Sequence, residues 1–99
     1  MSQEKLAAER KWFAIAPDGS QKEVLLRVGV PITNAKGTWL AEASIDGLDH
    51  RSYPIAGVDA WQATSLAMKF LVSRVEHYVD MGWKFYWEQN GKEASSNHL

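Results

Sequence analysis

The stretch YPIAGVDAWQATSLAMKF, residues 53–70, decides the fold of this chain, because a two-residue alternation gives way here to a helical one. From Asp59 onward, apolar residues recur every three or four positions, which is typical of a helix with one buried face. Asp59 and Gln62 have the spacing of a capping box, in which the acid accepts a hydrogen bond from a first-turn backbone N–H. The stretch therefore predicts a strand, a tight turn at Gly57 and a helix that starts at Ala60.

The same order of glycine, acid and helix could also belong to a phosphate-binding loop. Such a loop needs free N–H groups at the start of a helix, but the carboxylate of Asp59 already fills that position with its own negative charge. The sequence also contains no Gly-x-Gly and no Gly-Lys-Ser/Thr motif. We therefore interpret the stretch as a helix cap rather than a nucleotide site.

Working outward toward the N-terminus, four segments alternate in period two and are separated by turn residues such as Gly19 and Gly37. Pro54 lies inside the fourth segment, and proline cannot donate to a strand ladder, so this segment is expected at a sheet edge. The predicted strands are KWFAIA (11–16), EVLLRVGVPI (23–32), TWLAEASID (38–46) and RSYPIA (51–56).

Working outward toward the C-terminus, the helix is predicted over 60–81, with Gly82 as its C-terminal stop. A fifth strand is predicted over 83–89, beside the first strand in preference to the fourth. The predicted fold class is α+β, a four-stranded antiparallel meander followed by one helix and a fifth strand (ββββαβ), with the helix packed on one face. We predict one domain over residues 1–90, frayed over 1–6, and a disordered tail over 91–99.

Composition excludes several classes of function. The chain has 99 residues, no cysteine and a formal net charge of −1, so it has no disulfide framework, no thiolate chemistry and no basic field for nucleic acid. It shows neither an apolar leader nor an uninterrupted apolar run of membrane-spanning length. We expect a cytoplasmic protein with no nucleic-acid partner and no membrane contact.

Two groups of apolar residues are candidates for an interaction surface. The helix has an apolar arc about twice as wide as packing on a sheet requires. Either a twisted sheet wraps around the flanks of this arc, or a partner protein covers them. Strand parity places Trp12 and Tyr86 on the sheet face that the helix leaves uncovered. Trp12, Ala14 and Ala16 would form the inner face of strand one almost as well. The candidate interaction residues are Trp12, Tyr86, Trp61, Met68, Val72 and Val79.

Arg74 is the candidate for an anion contact, because it falls inside the apolar sector of the helix. It can pair with a carboxylate such as Glu9, reach water, or clamp the carboxylate or phosphate of a ligand. We predict that Arg74→Met is tolerated if the arginine is structural and its acid partner can reach water.

No local motif supports catalysis. The sequence has no Gly-x-Ser-x-Gly and no His-Glu-x-x-His, and His50, His77 and His98 are scattered. We assign no catalytic residue, no metal ligand and no cofactor. The sequence favours a protein-interaction module, either homodimeric or the small partner of another bacterial protein. The alternative is a small-ligand-binding protein or enzyme with an anion-binding cleft near Arg74.

Several segments resemble a family of small uncharacterised bacterial proteins. They are AERKW, RVGVPI, the Trp and Ile-Asp-Gly of the third strand, and IAGVDAWQATSLAMKFL. In that family an Ala-Glu-Arg opening, an Ile/Val-Gly-x-Pro strand end and a Gly-x-Asp-x-x-Gln-Ala helix start occur in the same order. The resemblance covers roughly residues 7–90 and implies a shared fold, but no activity or ligand. The matching positions are Glu9, Arg10, Gly29, Pro31, Trp39, Gly57, Asp59 and Gln62.

Overall fold

The computed structural model of the protein describes residues 5–99, which form seven strands, one long helix and a short C-terminal 3-10 turn. The elements are β1 (Leu6–Ile15), β2 (Gln21–Gly29), β3 (Ile32–Thr33), β4 (Trp39–Asp46), β5 (Tyr53–Gly57), α1 (Ala60–Asp80), β6 (Lys84–Tyr86), β7 (Glu93–Ala94) and the 3-10 turn Ser96–His98.

All seven strands belong to one antiparallel sheet. β1 pairs with β2 on one edge and with β6 on the other, and β7 extends the sheet beyond β6. β4 pairs with β2 and β3 on one edge and with β5 on the other, since Leu40 lies between Ile32 and Ala56. The order across the sheet is therefore β5, β4, β2 with β3, β1, β6 and β7.

The predicted α+β class, an antiparallel sheet with one helix packed against it, is confirmed. The ββββαβ order differs in detail, because the predicted strand over 23–32 is interrupted at Val30 and Pro31 and its remainder forms β3. Proline lacks the N–H that a continuous ladder needs at this point. The last predicted strand lies beside the first, as expected, through the pairing of Ala14 with Phe85.

The core lies between one face of the sheet and α1, which packs mainly on β4 and β5. Ala63 and Ala67 are fully buried on the helix, and such small side chains allow close approach of the helix to the strands. Because α1 lies over β4 and β5, the β1 and β6 half of this face needs another cover. Residues that follow β6 supply it, since Ala94 of β7 is buried in the same core cluster as Trp12 and Phe85.

Residues 91–99, for which the sequence predicts a disordered tail, contain β7 and the 3-10 turn in this structure. Phe85 pairs with Ala94 in the β6–β7 ladder, and the backbone N–H of Ser95 donates to Nδ1 of His98 at 3.0 Å. Ser96 donates its hydroxyl hydrogen to Glu76 of α1 at 3.2 Å. At the other end of the chain, the predicted fraying of residues 1–6 falls partly on residues 1–4, which lie outside the described residues, while Leu6 begins β1.

Helix α1 begins and ends within one residue of the predicted positions. The backbone N–H of Gln62 donates to the carboxylate of Asp59 at 2.8 Å, and the Gln62 side chain accepts from the N–H of Val58 at 2.8 Å. Gly82 has φ +101°, a left-handed conformation that favours glycine after a helix. Within residues 5–99, no helix combines the length and apolar character that a membrane span requires.

We predict that Asp59→Ala lowers the free energy of unfolding by about 1 kcal/mol, because a first-turn N–H loses its acceptor. Urea unfolding followed by circular dichroism measures this. Asp80→Ala is the matched control, since an acid at the C-terminal end of a helix gains nothing from the helix dipole. Equal losses in the two variants would contradict a capping role for Asp59.

Candidate functional site

An apolar concavity borders the first three turns of α1, and we call it the α1 groove. Its volume is about 640 Å³. Trp61 lies at one end with 85% of its surface exposed, and Met68 in the middle is 45% exposed. The groove is lined by Ala60, Trp61, Thr64, Ser65, Met68, Lys69, Val72 and Leu99.

The spacing of the groove residues follows from the helix. Trp61, Ser65, Met68 and Val72 are four, three and four residues apart, which places them along one side of α1. The buried alanines lie on the side that faces the sheet, so the larger apolar residues of this flank are turned away from the core. This flank is the part of the over-wide apolar arc that the sheet leaves uncovered.

Leu99, which lies in the predicted tail, also lines the α1 groove. The Arg10 guanidinium holds this C-terminal segment, since Nη1 donates to the carbonyl oxygen of His98 at 3.2 Å. The guanidinium also lies 4.7 Å from the ring centroid of Trp87, which contacts the His98 ring edge-on. The Ser95-x-x-His98 spacing was the available sequence signal for this turn.

Two other residues of the candidate interaction surface, Val79 on α1 and Tyr86 on the sheet, lie outside the α1 groove. Val79 is 47% exposed near the C-terminal end of α1, two helical turns beyond the last residue lining the groove. Tyr86 is half-buried and lies opposite Phe13 on the sheet face away from α1, where it lines a separate small hollow with Phe13 and Ile15.

Trp12 does not belong to any exposed surface, which corrects its assignment to the uncovered sheet face. Its exposed fraction is 1%, and its ring packs 5.7 Å from Phe85 and 5.8 Å from Trp87. Trp12 and Ala14 form the inner face of β1, while Phe13 faces the other side. The physical reason is that the β1 and β6 half of the core, which α1 leaves open, needs a large apolar side chain.

Arg74 lies in a compact polar cluster at the side of α1 rather than in a cleft. Its Nη2 binds Oδ1 of Asp49 at 2.6 Å and lies 3.2 Å from the Tyr78 hydroxyl, which itself donates to the same Asp49 oxygen at 2.6 Å. The Asp49 side chain is only 1% exposed. The acid partner is therefore Asp49 from the β4–β5 connection and not Glu9, which pairs with Arg27 at 2.6 Å.

The electrostatics of this cluster follow from burial and from the shared carboxylate. Burial, followed by the hydrogen bond to Asp49, raises the pKa of Tyr78, because both favour the neutral hydroxyl. The hydrogen bond to Asp49 raises the pKa of Arg74, since it favours the charged guanidinium. The cluster thus keeps Tyr78 protonated and ties the β4–β5 connection to α1.

On the sheet face away from α1, the part around Arg27 is polar. Arg27 bridges Glu9 and Asp46, at 2.6 and 2.7 Å, and the Ser52 hydroxyl donates to Glu42 at 2.9 Å. A shallow hollow of about 400 Å³ lies here, and its lining includes Arg27, Asp46, Glu42 and Ser52. This part of the face shows the charged character that an antiparallel sheet has when one side meets solvent.

The fold and the α1 groove define a small α+β protein whose single long helix carries an apolar flank. The chain belongs to the family described as Domain of unknown function (DUF6968), which matches residues 8–95. The predicted resemblance to a family of unknown function is thereby confirmed. No curated protein and no solved structure matches the chain.

Proposed function

We propose that the chain is a protein-interaction module that takes up an apolar α-helix of a protein partner in the α1 groove. The observation that carries this proposal is Trp61, a large aromatic side chain that is 85% exposed and borders a groove of about 640 Å³. Tryptophan is among the residues most enriched at the energetic centres of protein interfaces.

The dimensions of the groove favour a helix as its occupant. From Ala60 to Val72 it extends over about 18 Å, which is slightly more than three helical turns. Its α1 wall offers side chains at the spacing that a second helix packs against. A helix laid along this wall would cover the apolar flank over its whole exposed length.

The chemistry of the groove favours an apolar occupant. The segment AWQATSLAM, residues 60–68, contains no charged residue, and Lys69 is the one charged side chain among the residues that line the groove. Depletion of charge is the compositional mark of the centre of a protein interface. The partner helix should therefore present aliphatic or aromatic residues to Met68.

The contacts of Arg74 favour this proposal over an anion-binding cleft. Its Nη2 already binds the Asp49 carboxylate and contacts the Tyr78 hydroxyl, so a ligand anion would have to compete with a buried acid. Arg74 is also absent from the residues that line the α1 groove. The arginine is better explained as part of the scaffold that positions the helix.

A photo-crosslinking experiment tests the proposal. A photoreactive phenylalanine analogue replaces Ser65, which lines the groove, and the protein is irradiated in lysate of its source organism. We predict a cross-linked product whose yield falls at least fivefold with Met68→Glu, because a buried carboxylate opposes an apolar contact. Mass spectrometry should locate the attachment point on the apolar face of a helix.

Leu66→Glu is the matched control, since Leu66 is also partly exposed on α1 but does not line the groove. It should leave the yield unchanged. The proposal fails if position 65 gives no product, or if Met68→Glu and Leu66→Glu reduce the yield equally.

A further inference from the structure

We infer that a hollow on the sheet face away from α1 binds a neutral monosaccharide in its ring form. We call this site the outer hollow. Its volume is about 200 Å³, and it is lined by Phe13, Ile15, Gln21, Tyr86, Gln89 and Asn90. The inference is independent of the α1 groove, which borders the helix on the other side of the sheet.

The two aromatic rings of the outer hollow lack an aromatic partner. Phe13 and Tyr86 lie directly opposite each other in the β1–β6 ladder, and both are half-buried. Within residues 5–99, neither ring contacts another aromatic ring or a cation. Opposite aromatics on neighbouring strands commonly pack on one another, so these two leave ring surface for another molecule. The face of an aromatic ring carries negative partial charge, against which the C–H groups of a sugar ring can pack.

The polar part of the outer hollow consists of the three carboxamides of Gln21, Gln89 and Asn90. Each carboxamide both donates and accepts hydrogen bonds, and so does each hydroxyl group of a sugar. Nε2 of Gln89 donates to Oε1 of Gln21 at 3.5 Å, which is longer than the usual N–H···O distance of about 2.9 Å. A ligand hydroxyl can therefore displace this bond. A proline-rich peptide matches the three carboxamides less well, because proline offers only a carbonyl acceptor.

The β6–β7 turn places two of these carboxamides at the hollow. The backbone N–H of Gly91 donates to the carbonyl oxygen of Glu88 at 2.9 Å, which makes Gln89 and Asn90 the two central residues of the turn. Asn90 has φ +63°, a left-handed conformation that no other non-glycine residue in the described part of the chain adopts. Glycine is the residue most favoured at such a position. Asn90 thus supplies a carboxamide where the turn alone would accept glycine.

Charge and size select a small neutral ligand. None of the six residues that line the outer hollow is charged, so a charged group bound there would lose hydration without gaining an ion pair. The volume is below the range of about 300–1,000 Å³ that is typical of pockets for drug-sized ligands, so the site fits a single ring. A ligand of this size corresponds to a dissociation constant in the millimolar range.

NMR titration of the backbone amide signals of the isotope-labelled protein tests the inference. The probes are the methyl glycosides of glucose, galactose, mannose and N-acetylglucosamine, each added up to about 100 mM to cover millimolar affinities. Glycerol is the control for hydroxyl groups without a ring. We predict that at least one glycoside shifts the signals of Phe13, Tyr86 and Gln89 in a saturable manner, and that glycerol does not.

Asn90→Gly is the most specific variant, because glycine preserves the turn and removes only the carboxamide. It should raise the dissociation constant about fivefold, the effect of one lost hydrogen bond. Tyr86→Leu removes the ring but keeps an apolar side chain, and it should raise the constant about tenfold. Glu88→Ala is the matched control, since Glu88 is exposed in the same turn but does not line the hollow. It should leave the constant unchanged.

Three results would overturn the inference. They are the absence of shifts with every glycoside, shifts of equal size in the wild type, Asn90→Gly and Tyr86→Leu, and shifts of the same signals by adenosine or a proline-rich peptide at lower concentration than by any glycoside. The spectrum of Asn90→Gly without ligand shows that the fold is retained. Both variants leave the α1 groove intact, so photo-crosslinking from position 65 should be unchanged in them, and the proposed function keeps its own test.

Discussion

Asp49→Ala is expected to lower the free energy of unfolding by about 3 kcal/mol, the cost of breaking a buried ion pair by removing one partner. Asp49 comes from the β4–β5 connection and is 1% exposed, while the Arg74 side chain is 26% exposed. Without the carboxylate, the guanidinium and the Tyr78 hydroxyl lose the acceptor that they share. Both side chains belong to α1 and are part-buried, so each would keep a polar group with reduced access to water.

Urea unfolding at neutral pH measures this loss, and Asp46→Ala is the control. Asp46 lies three residues earlier and also pairs with an arginine, but its side chain is 46% exposed and that of Arg27 is 37% exposed. Exposed pairs contribute little, so we expect a loss below about 1 kcal/mol for the control. Similar losses for Asp49→Ala and Asp46→Ala would show that burial of the Asp49 pair carries no energetic consequence.

The same cluster decides the effect of Arg74→Met. The substitution was predicted to be tolerated if the acid partner can reach water, and the burial of Asp49 removes that condition. We therefore expect Arg74→Met to destabilise about as much as Asp49→Ala. Within residues 5–99, Asp49 Oδ2 and Arg74 Nε have no hydrogen-bond partner, so the pair is incompletely satisfied. The double variant Asp49→Leu/Arg74→Met should regain most of the loss, because neither charge is left behind.

The sequence was sufficient for features that depend on local spacing. Asp59, Gln62 and Gly82 define the helix without any knowledge of the sheet, because caps and stops act within one turn. Adjacency of the last strand to the first followed from the return direction of the helix. The family resemblance implied a fold shared with the family, but it implied no function.

The features that sequence reasoning missed depend on where the helix lies on the sheet. Trp12 could be placed on either face of β1 by its own strand, and it is inward because α1 leaves the β1 half of the core uncovered. The C-terminal segment packs on the same part of the core, where Ala94 is buried. Its residues are small and polar, so the sequence gives no signal of this burial. Asp49 carries no local signal, since an acid in a turn is ordinarily solvated and its partner is 25 residues away.

Gly57→Ala is expected to lower the free energy of unfolding by about 3 kcal/mol, at the upper end of overpacking effects. A Cβ at position 57 would lie 2.4 Å from the backbone nitrogen of Ala63 and 2.8 Å from its Cα. Both atoms belong to the first turn of α1, so no side-chain rotation relieves the contact. The end of β5 and the start of α1 must separate, which also weakens the packing of the buried Ala63.

Gly29→Ala is the matched control, because Gly29 is also buried at a strand end but an added Cβ would meet its neighbours at 3.5 Å or more. We expect a loss below about 1 kcal/mol there, since these are ordinary contact distances. Urea unfolding compares the two variants, and far-ultraviolet circular dichroism checks that α1 is retained. Because Gly57 sets how closely the first turn approaches β5, it also sets the position of Trp61. A loss for Gly57→Ala no larger than that of Gly29→Ala would mean that this turn moves freely, and the α1 groove would then lack the fixed wall on which a partner helix depends.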